Sequence, residues 1–200
     1  MDYITKIKLS DYKRSNRGNP KYNNYDLTGD YGVGYLADGT EFYFDLEDYN
    51  KIKDFYWQDE HGYLRTNVRI NKKHTRIYLH RLIANPDEDK VIDHINCNRR
   101  DNRKNNLRSA TQTQNTYNKA ISSKNKSGRT GVFWLKNSKK WMVNISYKNK
   151  SIYIGVFEDK QQAIEARRKA EDIYYGEYAY ARSQEVSKEW QVASAYRANG

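Results

Sequence analysis

An Asp-His pair, Asp93-His94, lies within a short apolar run, Val91–Ile95. The chain then passes through INCNRRDNRKNNLRS and reaches TQTQN, which ends at Asn115. The Asp93 carboxylate and the Asn115 amide oxygen are hard donors suited to Mg²⁺ or Mn²⁺. His94, with an ordinary pKa of about 6.5, can accept a proton near neutral pH. Phosphodiester hydrolysis needs a water nucleophile, a base to deprotonate it and stabilisation of charge on the phosphate and leaving oxygen. The stretch between supplies five cations, Arg99, Arg100, Arg103, Lys104 and Arg108. Phosphate contact is their natural use, since each neutralised phosphate releases condensed counterions.

Local elements must position these groups. Val91–Ile95 reads as a strand, and period-two alternation puts Ile92 and His94 on one face and Asp93 on the other. Twist and the following bend must therefore bring Asp93 and His94 to one pocket. Asn96–Arg108 is too polar and Asn-rich for a buried element and reads as an ordered loop. Thr111-x-x-Gln114 has the capping-box form, which sets Asn115 about one turn into a helix. A strand, a loop and a returning helix make a ββα arrangement around one metal.

The pattern D-H-I-N-x-N-x-x-D-N-R-x-x-N-L-R, followed by a capped helix bearing Asn115, resembles the HNH nucleases in their Asp-His variant. Leu79-His80-Arg81-Leu82-Ile83 resembles the segment that commonly precedes that motif. The resemblance implies that Asp93 and Asn115 hold the metal and that His94 is the general base. Asn106, the middle Asn of the family name, would hydrogen-bond across the loop and hold His94 in orientation. His80 reads as structural or phosphate-contacting, and His61 and His74 as surface residues. Some of the loop cations can instead pair with Asp101 or cap loop carbonyls, and Arg108, beside Leu107, suits such a structural role. Cys97 stands where related sequences commonly carry Gly.

Before the motif, Tyr31–Leu36 and Glu41–Asp45 read as a hairpin around Asp38-Gly39. Leu46–Phe55 reads as a short helix with Asp45 as N-cap. Gly62–Ile70 and Thr75–Leu79 form a second hairpin around Asn71-Lys72-Lys73, and Asn85-Pro86 ends a helical turn at His80–Ala84. Residues 1–30 are read as partly disordered or extended along a groove.

After the motif, Lys119–Arg129 (KAISSKNKSGR) reads as a flexible basic tether. Gly131–Leu135, Lys140–Tyr147 and Ser151–Phe157 are β-rich, and Trp141, Val143 and Ile145 alternate with Asn144, Ser146 and Lys148. A helix follows, with Asp159 as N-cap, Ala163, Ala166, Ala170, Ile173 and Tyr174 at helical spacing, and Gly176 as its stop. This part resembles the ethylene-response-factor (APETALA-type) DNA-binding domain. The resemblance rests on Gly131-Val132, Trp134, Lys140-Trp141, Ile145, Ile154–Phe157 and the alanine helix, over Ser127–Ala179. It implies that the exposed sheet face enters the major groove, with Phe133, Lys136, Ser146, Lys148 and Tyr153 at or near DNA. Phe133 and Ser146 do not keep the guanine-reading Arg chemistry of the plant domains. Trp141 reads as core, and Trp134 fits either role.

Composition bounds the whole. With 37% hydrophobic and 30% charged residues in 200, one large core is not expected. The single Cys excludes an internal disulfide and a Cys-based zinc cluster. The net charge of +11 lies entirely in the middle: residues 61–150 carry 21 Lys and Arg against 5 Asp and Glu. Such a footprint suits a polyanion. With no signal peptide or membrane-length apolar run, the chain reads as soluble and cytoplasmic, in a bacterial or phage-infected cell, with no membrane partner.

The expected architecture is α+β. It comprises an N-terminal β-rich region without assigned role (1–60), an HNH module (61–118), a basic linker (119–129), a sheet-type DNA reader (130–180) and a tail (181–200). The expected activity is metal-dependent cleavage of duplex DNA, of the homing or phage-encoded type. A monomer would nick one strand; a double-strand break needs a dimer or a second pass. A non-catalytic DNA-binding regulator and an RNA-acting nuclease are the alternatives.

Overall fold

The computed structural model describes residues 22–70 and 73–180. The fold is α+β, in two units that divide after Gln112.

The first unit builds its core from aromatics. Strands β1 (Asn24–Asp26), β2 (Gly32–Tyr35) and β3 (Glu41–Phe44) form an antiparallel sheet in sequence order. Phe42 and Phe44 are fully buried, and each lies across a glycine of β2. A Cβ on Gly34 would come within 2.1 Å of the Phe42 ring, so only glycine lets that ring lie flat over the strand. The expected Asp38-Gly39 turn is present, with Gly39 at φ 83° and Asp38 accepting from the Thr40 N–H.

The helix expected over Leu46–Phe55 is shorter: a 3₁₀ turn, Leu46–Asp48, and one α turn, α1 (Tyr49–Ile52). Asp45 does not cap it. Its carboxylate accepts instead from the backbone N–H of Lys104, 59 residues on. A long-range demand for that carboxylate overrides the local one.

A second sheet follows, of β4 (Gln58–Glu60), β5 (Tyr63–Ile70) and β6 (Lys73–Tyr78). Of the turn expected at Asn71-Lys72-Lys73, Lys73 begins β6; the other two residues lie outside the described residues. Helix α2 (Leu79–Ala84) ends at Asn85, whose left-handed φ of 44° turns the chain. His61 and His74 are exposed, as expected.

One hydrophobic cluster runs from Leu36, Phe42 and Phe44 through Ile52 and Trp57 to Leu64, Ile77, Leu79, Leu82 and Ile83. The division expected at residues 60/61 falls inside this core. Asn23 ties the first sheet to it, donating to the Tyr35 and Trp57 carbonyls and accepting from the Trp57 N–H. A third ladder, β7 (Val91–His94) with β8 (Leu107–Ala110), closes the unit; helix α3 (Gln112–Tyr117) follows β8 in the chain.

In the second unit, β9 (Val132–Leu135), β10 (Lys140–Tyr147) and β11 (Lys150–Phe157) form an antiparallel sheet of order β11-β10-β9. Helix α4 (Lys160–Tyr174) covers one face, and Asp159 caps it by accepting from the Gln162 N–H at 2.9 Å. Val132, Val143 and Ala163 form the core, with Trp141, Ile154 and Phe157 packed against it.

Ile173, expected on the packed stripe of α4, is 77% exposed; Arg167 and Glu171 are buried instead. Arg167 donates to Glu171 at 2.9 Å and to the Asn144 carbonyl at 2.8 Å, and Arg129 also pairs with Glu171. Gly131, at φ 81°, leaves room for this: a Cβ there would meet the Asn144 carbonyl at 2.4 Å.

The tether expected at Lys119–Arg129 is folded in its second half. Asn125 accepts from the Gly128 N–H and from the Ser127 hydroxyl, Ser127 is buried, and Arg129 joins the α4 ion pairs. The tail 181–200 lies outside the described residues.

Candidate active site

The β7–β8 ladder sets Asp93 opposite Arg108 and His94 opposite Leu107. Asp93 and His94 are each only 4% exposed, so both faces of β7 are covered. The expected alternation holds and sends the two side chains to different neighbours. Asp93 meets Arg108, whose Nε and Nη2 donate to Oδ2 at 2.8 and 2.6 Å. His94 turns toward β5 and α2: its ring lies 5.3 Å from His80, edge to face, and 6.0 Å from Tyr63.

The His94 Nε2 lies 3.4 Å from Oδ1 of Asn102. Asn102 is fully buried, and its amide group donates to the Arg100 carbonyl at 3.1 Å, which fixes which end of the amide faces His94. An amide oxygen only accepts, so a hydrogen bond here calls for the tautomer with its hydrogen on Nε2 and its lone pair on Nδ1. Burial, the largest influence, pushes the His94 pKa down to about 4 against the Asn102 contact and the Asp93 and Asp101 charges. The ring is therefore neutral at pH 7 and carries a lone pair, while the lowered pKa makes it a weaker base than a free imidazole.

The centre of the loop after β7 is buried despite its polarity, contrary to the expectation from composition, while Asn98, Arg99, Lys104 and Asn105 are exposed. Asp101 and Asn102 are fully buried, and Arg103 and Asn106 nearly so. The reason is internal satisfaction of every strong group. Arg103 grips Asp101 with two 2.7 Å hydrogen bonds, and Asn96 donates to the same carboxylate. Asn106 donates to the Asp101 carbonyl at 2.7 Å and accepts from the Asn96 N–H at 2.9 Å. Asn106 thus bonds across the loop, while the contact to the imidazole comes from Asn102. Cys97 takes φ 60°, the left-handed turn that suits glycine, and donates its N–H to the His94 carbonyl.

The N-terminal region supports this loop. Tyr43 of β3 donates to the Arg100 carbonyl at 2.9 Å and accepts from the Asn102 N–H at 2.8 Å, a parallel bridge centred on Asp101. Sequence reasoning left residues 1–60 without a role, because nothing local marks Tyr43 as a partner for a residue so far along the chain. The Asp101-Asn102-Arg103 triplet within the motif was the available signal for Asn102.

The five loop cations divide. Arg103 closes on Asp101 in a buried ion pair instead of facing phosphate, and Arg108, whose place beside Leu107 suits a structural role, closes on the buried Asp93. Arg99 packs over the Tyr63 ring and donates to the His61 carbonyl, Arg100 pairs with Asp59, and Lys104 with Glu47 and Asp48. These three stay at the surface, where such pairs are weak and can exchange.

Asn115 sits half-exposed on α3, beyond Gln112 and so in the second unit. Among the described residues no group of three or more His, Cys, Asp or Glu forms a metal cage. The Asp93 carboxylate is of a kind that suits a hard divalent cation, and its Oδ2 accepts from Arg108. On the second unit, Phe133 and Tyr153 are 50% and 63% exposed, and Lys136, Ser146 and Lys148 are exposed.

Residues 77–117 match the family model for HNH endonucleases. The match holds β7, the loop, β8 and α3, and begins just before His80. It supports nuclease chemistry for this HNH segment, and covers about a fifth of the chain. No curated protein and no solved structure matches. No helix among the described residues is long and apolar enough to cross a membrane.

Proposed function

We propose that the protein is a metal-dependent DNA endonuclease of the homing or phage-encoded type, with an ethylene-response-factor-like sheet as its DNA reader. The observation that carries this reading is the buried, neutral His94, held through Nε2 by Asn102 and adjacent in β7 to Asp93, inside the HNH match. Nδ1 takes the proton of the attacking water, and the Asn102 oxygen steadies the imidazolium that results. By the HNH resemblance, Asp93 and Asn115 would be the ligands of Mg²⁺ or Mn²⁺, which when bound would supply positive charge to the phosphate and the leaving 3′ oxygen. Arg99, Arg100 and Lys104 are the cations placed to exchange their surface partners for phosphates. The products are 5′-phosphate and 3′-hydroxyl ends, one strand being cut per active site.

The Asp93–Arg108 ion pair favours a second reading, a non-catalytic DNA-binding regulator that retains the scaffold. Supercoiled plasmid incubated with Mg²⁺ or Mn²⁺, or with chelator, separates the two. Metal-dependent conversion to open circle by wild type and not by His94→Ala is the expected result. DNA binding without cleavage under either metal, on target as well as control DNA, would establish the regulator.

A further inference from the structure

We propose that the outer face of the β9–β11 sheet reads thymine 5-methyl groups in the major groove of duplex DNA. The inference rests on the DNA-binding reading above and names what the reader recognises.

The register places Phe133 opposite Met142 and Met142 opposite Val156, an apolar row that crosses all three strands. The row faces away from α4, whose side of the sheet holds Val132 and Val143. Phe133 is 50% and Val156 38% exposed, and Tyr153, opposite Asn144, is more exposed still. An exposed apolar row of this kind fits an interaction surface.

Charge identifies the class of partner. The three strands contain no Asp or Glu. Lys136, Lys139 and Lys140 stand at one end of β10, and Lys148 and Lys150 at the other; Lys140 pairs with Glu158. Among the described residues, the acids Glu165, Glu171 and Asp172 lie on α4 and not on the strands. An apolar row between two lysine groups suits a polyanion with an apolar feature between its phosphate strands.

In the major groove, among the four bases, only thymine offers such a feature, its 5-methyl group; the other base edges are hydrogen-bonding groups. The row has no Arg or Gln to satisfy those groups, so covering a G·C edge would strand donors and acceptors without partners. Stacking on unpaired bases is the rival use of exposed aromatics. Met142 and Val156 have no ring face to offer, which favours methyl contact.

The test uses the full chain with chelator present to prevent cutting. Sites are selected from a random duplex pool, and the best is remade with deoxyuridine for thymine, which removes only the methyl groups. Each methyl lost should weaken binding about fourfold, so two or three thymines should give a loss of about sixteen- to sixtyfold. The double variant Phe133→Ser, Val156→Ser should bring the thymine-to-uracil affinity ratio close to one. Equal wild-type affinity for the two duplexes, selected sites without thymine, or tighter binding to single strands than to duplex would each overturn the proposal. Failure to bind any DNA would instead remove the DNA-reader reading on which it rests.

Discussion

Arg108 places both Nε and Nη2 on one oxygen of Asp93, Oδ2, from the position directly opposite in the β7–β8 ladder. The proposed metal ligand therefore carries a guanidinium, and a metal must compete with it. Arg108→Gln should cost the metal-free protein about 3–5 kcal/mol, because a buried carboxylate loses a guanidinium that donates to it twice. A divalent cation should restore much of that. Thermal melts with and without Mn²⁺ measure both, and a metal-induced rise in Tm no larger than that of wild type would dismiss the competition.

Asn102 faces the hydrogen-bearing nitrogen of His94. Asn102→Asp would set a carboxylate there and favour the imidazolium. The acid limb of the pH–rate profile should move upward by a unit or more. An unmoved limb, with reduced activity, would make Asn102 a loop strut and not a partner of the base.

His80 and His94 are buried against each other, and burial pushes their pKa values down to about 3 and about 4. The unfolded chain, with histidine near 6.5, binds more protons than the folded one between those values. The stability of the first unit is thus full above pH 6.5 and falls as pH drops toward 4. Between pH 7 and pH 5 each histidine should account for about 2 kcal/mol. Urea unfolding at the two pH values should show the loss, and His80→Phe should remove about half of it; an unchanged slope in that variant would clear His80 of this role.

Cys97 holds a left-handed backbone at φ 60° with a side chain attached. Cys97→Gly removes the clash of Cβ with the following carbonyl, worth roughly 1–2 kcal/mol, against a smaller entropic cost of glycine. A net gain of about 0.5–1 kcal/mol is expected in denaturant unfolding. A loss would mean that the Cys97 side chain contributes more than its backbone strain.

Glu171 lies between Arg129 and Arg167 with all three nearly buried. Glu171→Ala leaves two buried guanidiniums without their shared carboxylate and should cost about 3–5 kcal/mol in the second unit. Differential scanning calorimetry should show this as a lowered transition, and an unchanged trace would mean that the guanidiniums find water on substitution.

The sequence by itself determined the elements whose signals are local. The Asp38-Gly39 hairpin, the β9–β11 alternation and the Asp159 cap each follow from turn chemistry, pleat period or an orphan N–H close in the chain. The spacing from Asp93-His94 through Leu107-Arg108 likewise carries the HNH pattern. Only the tertiary structure decided which polar groups meet. Asp45 leaves its own helix for Lys104, Tyr43 braces Asp101 and Asn102, and Arg108 closes on Asp93. The same is true of burial: Asp101, Asn102, Arg103 and Asn106 lie inside because each finds a partner, whereas Ile173 lies outside because Arg167 and Glu171 occupy the packed face. Hydrophobic period reports which side chains leave water, but a polar side chain leaves it only when a partner from a distant segment arrives at hydrogen-bonding distance.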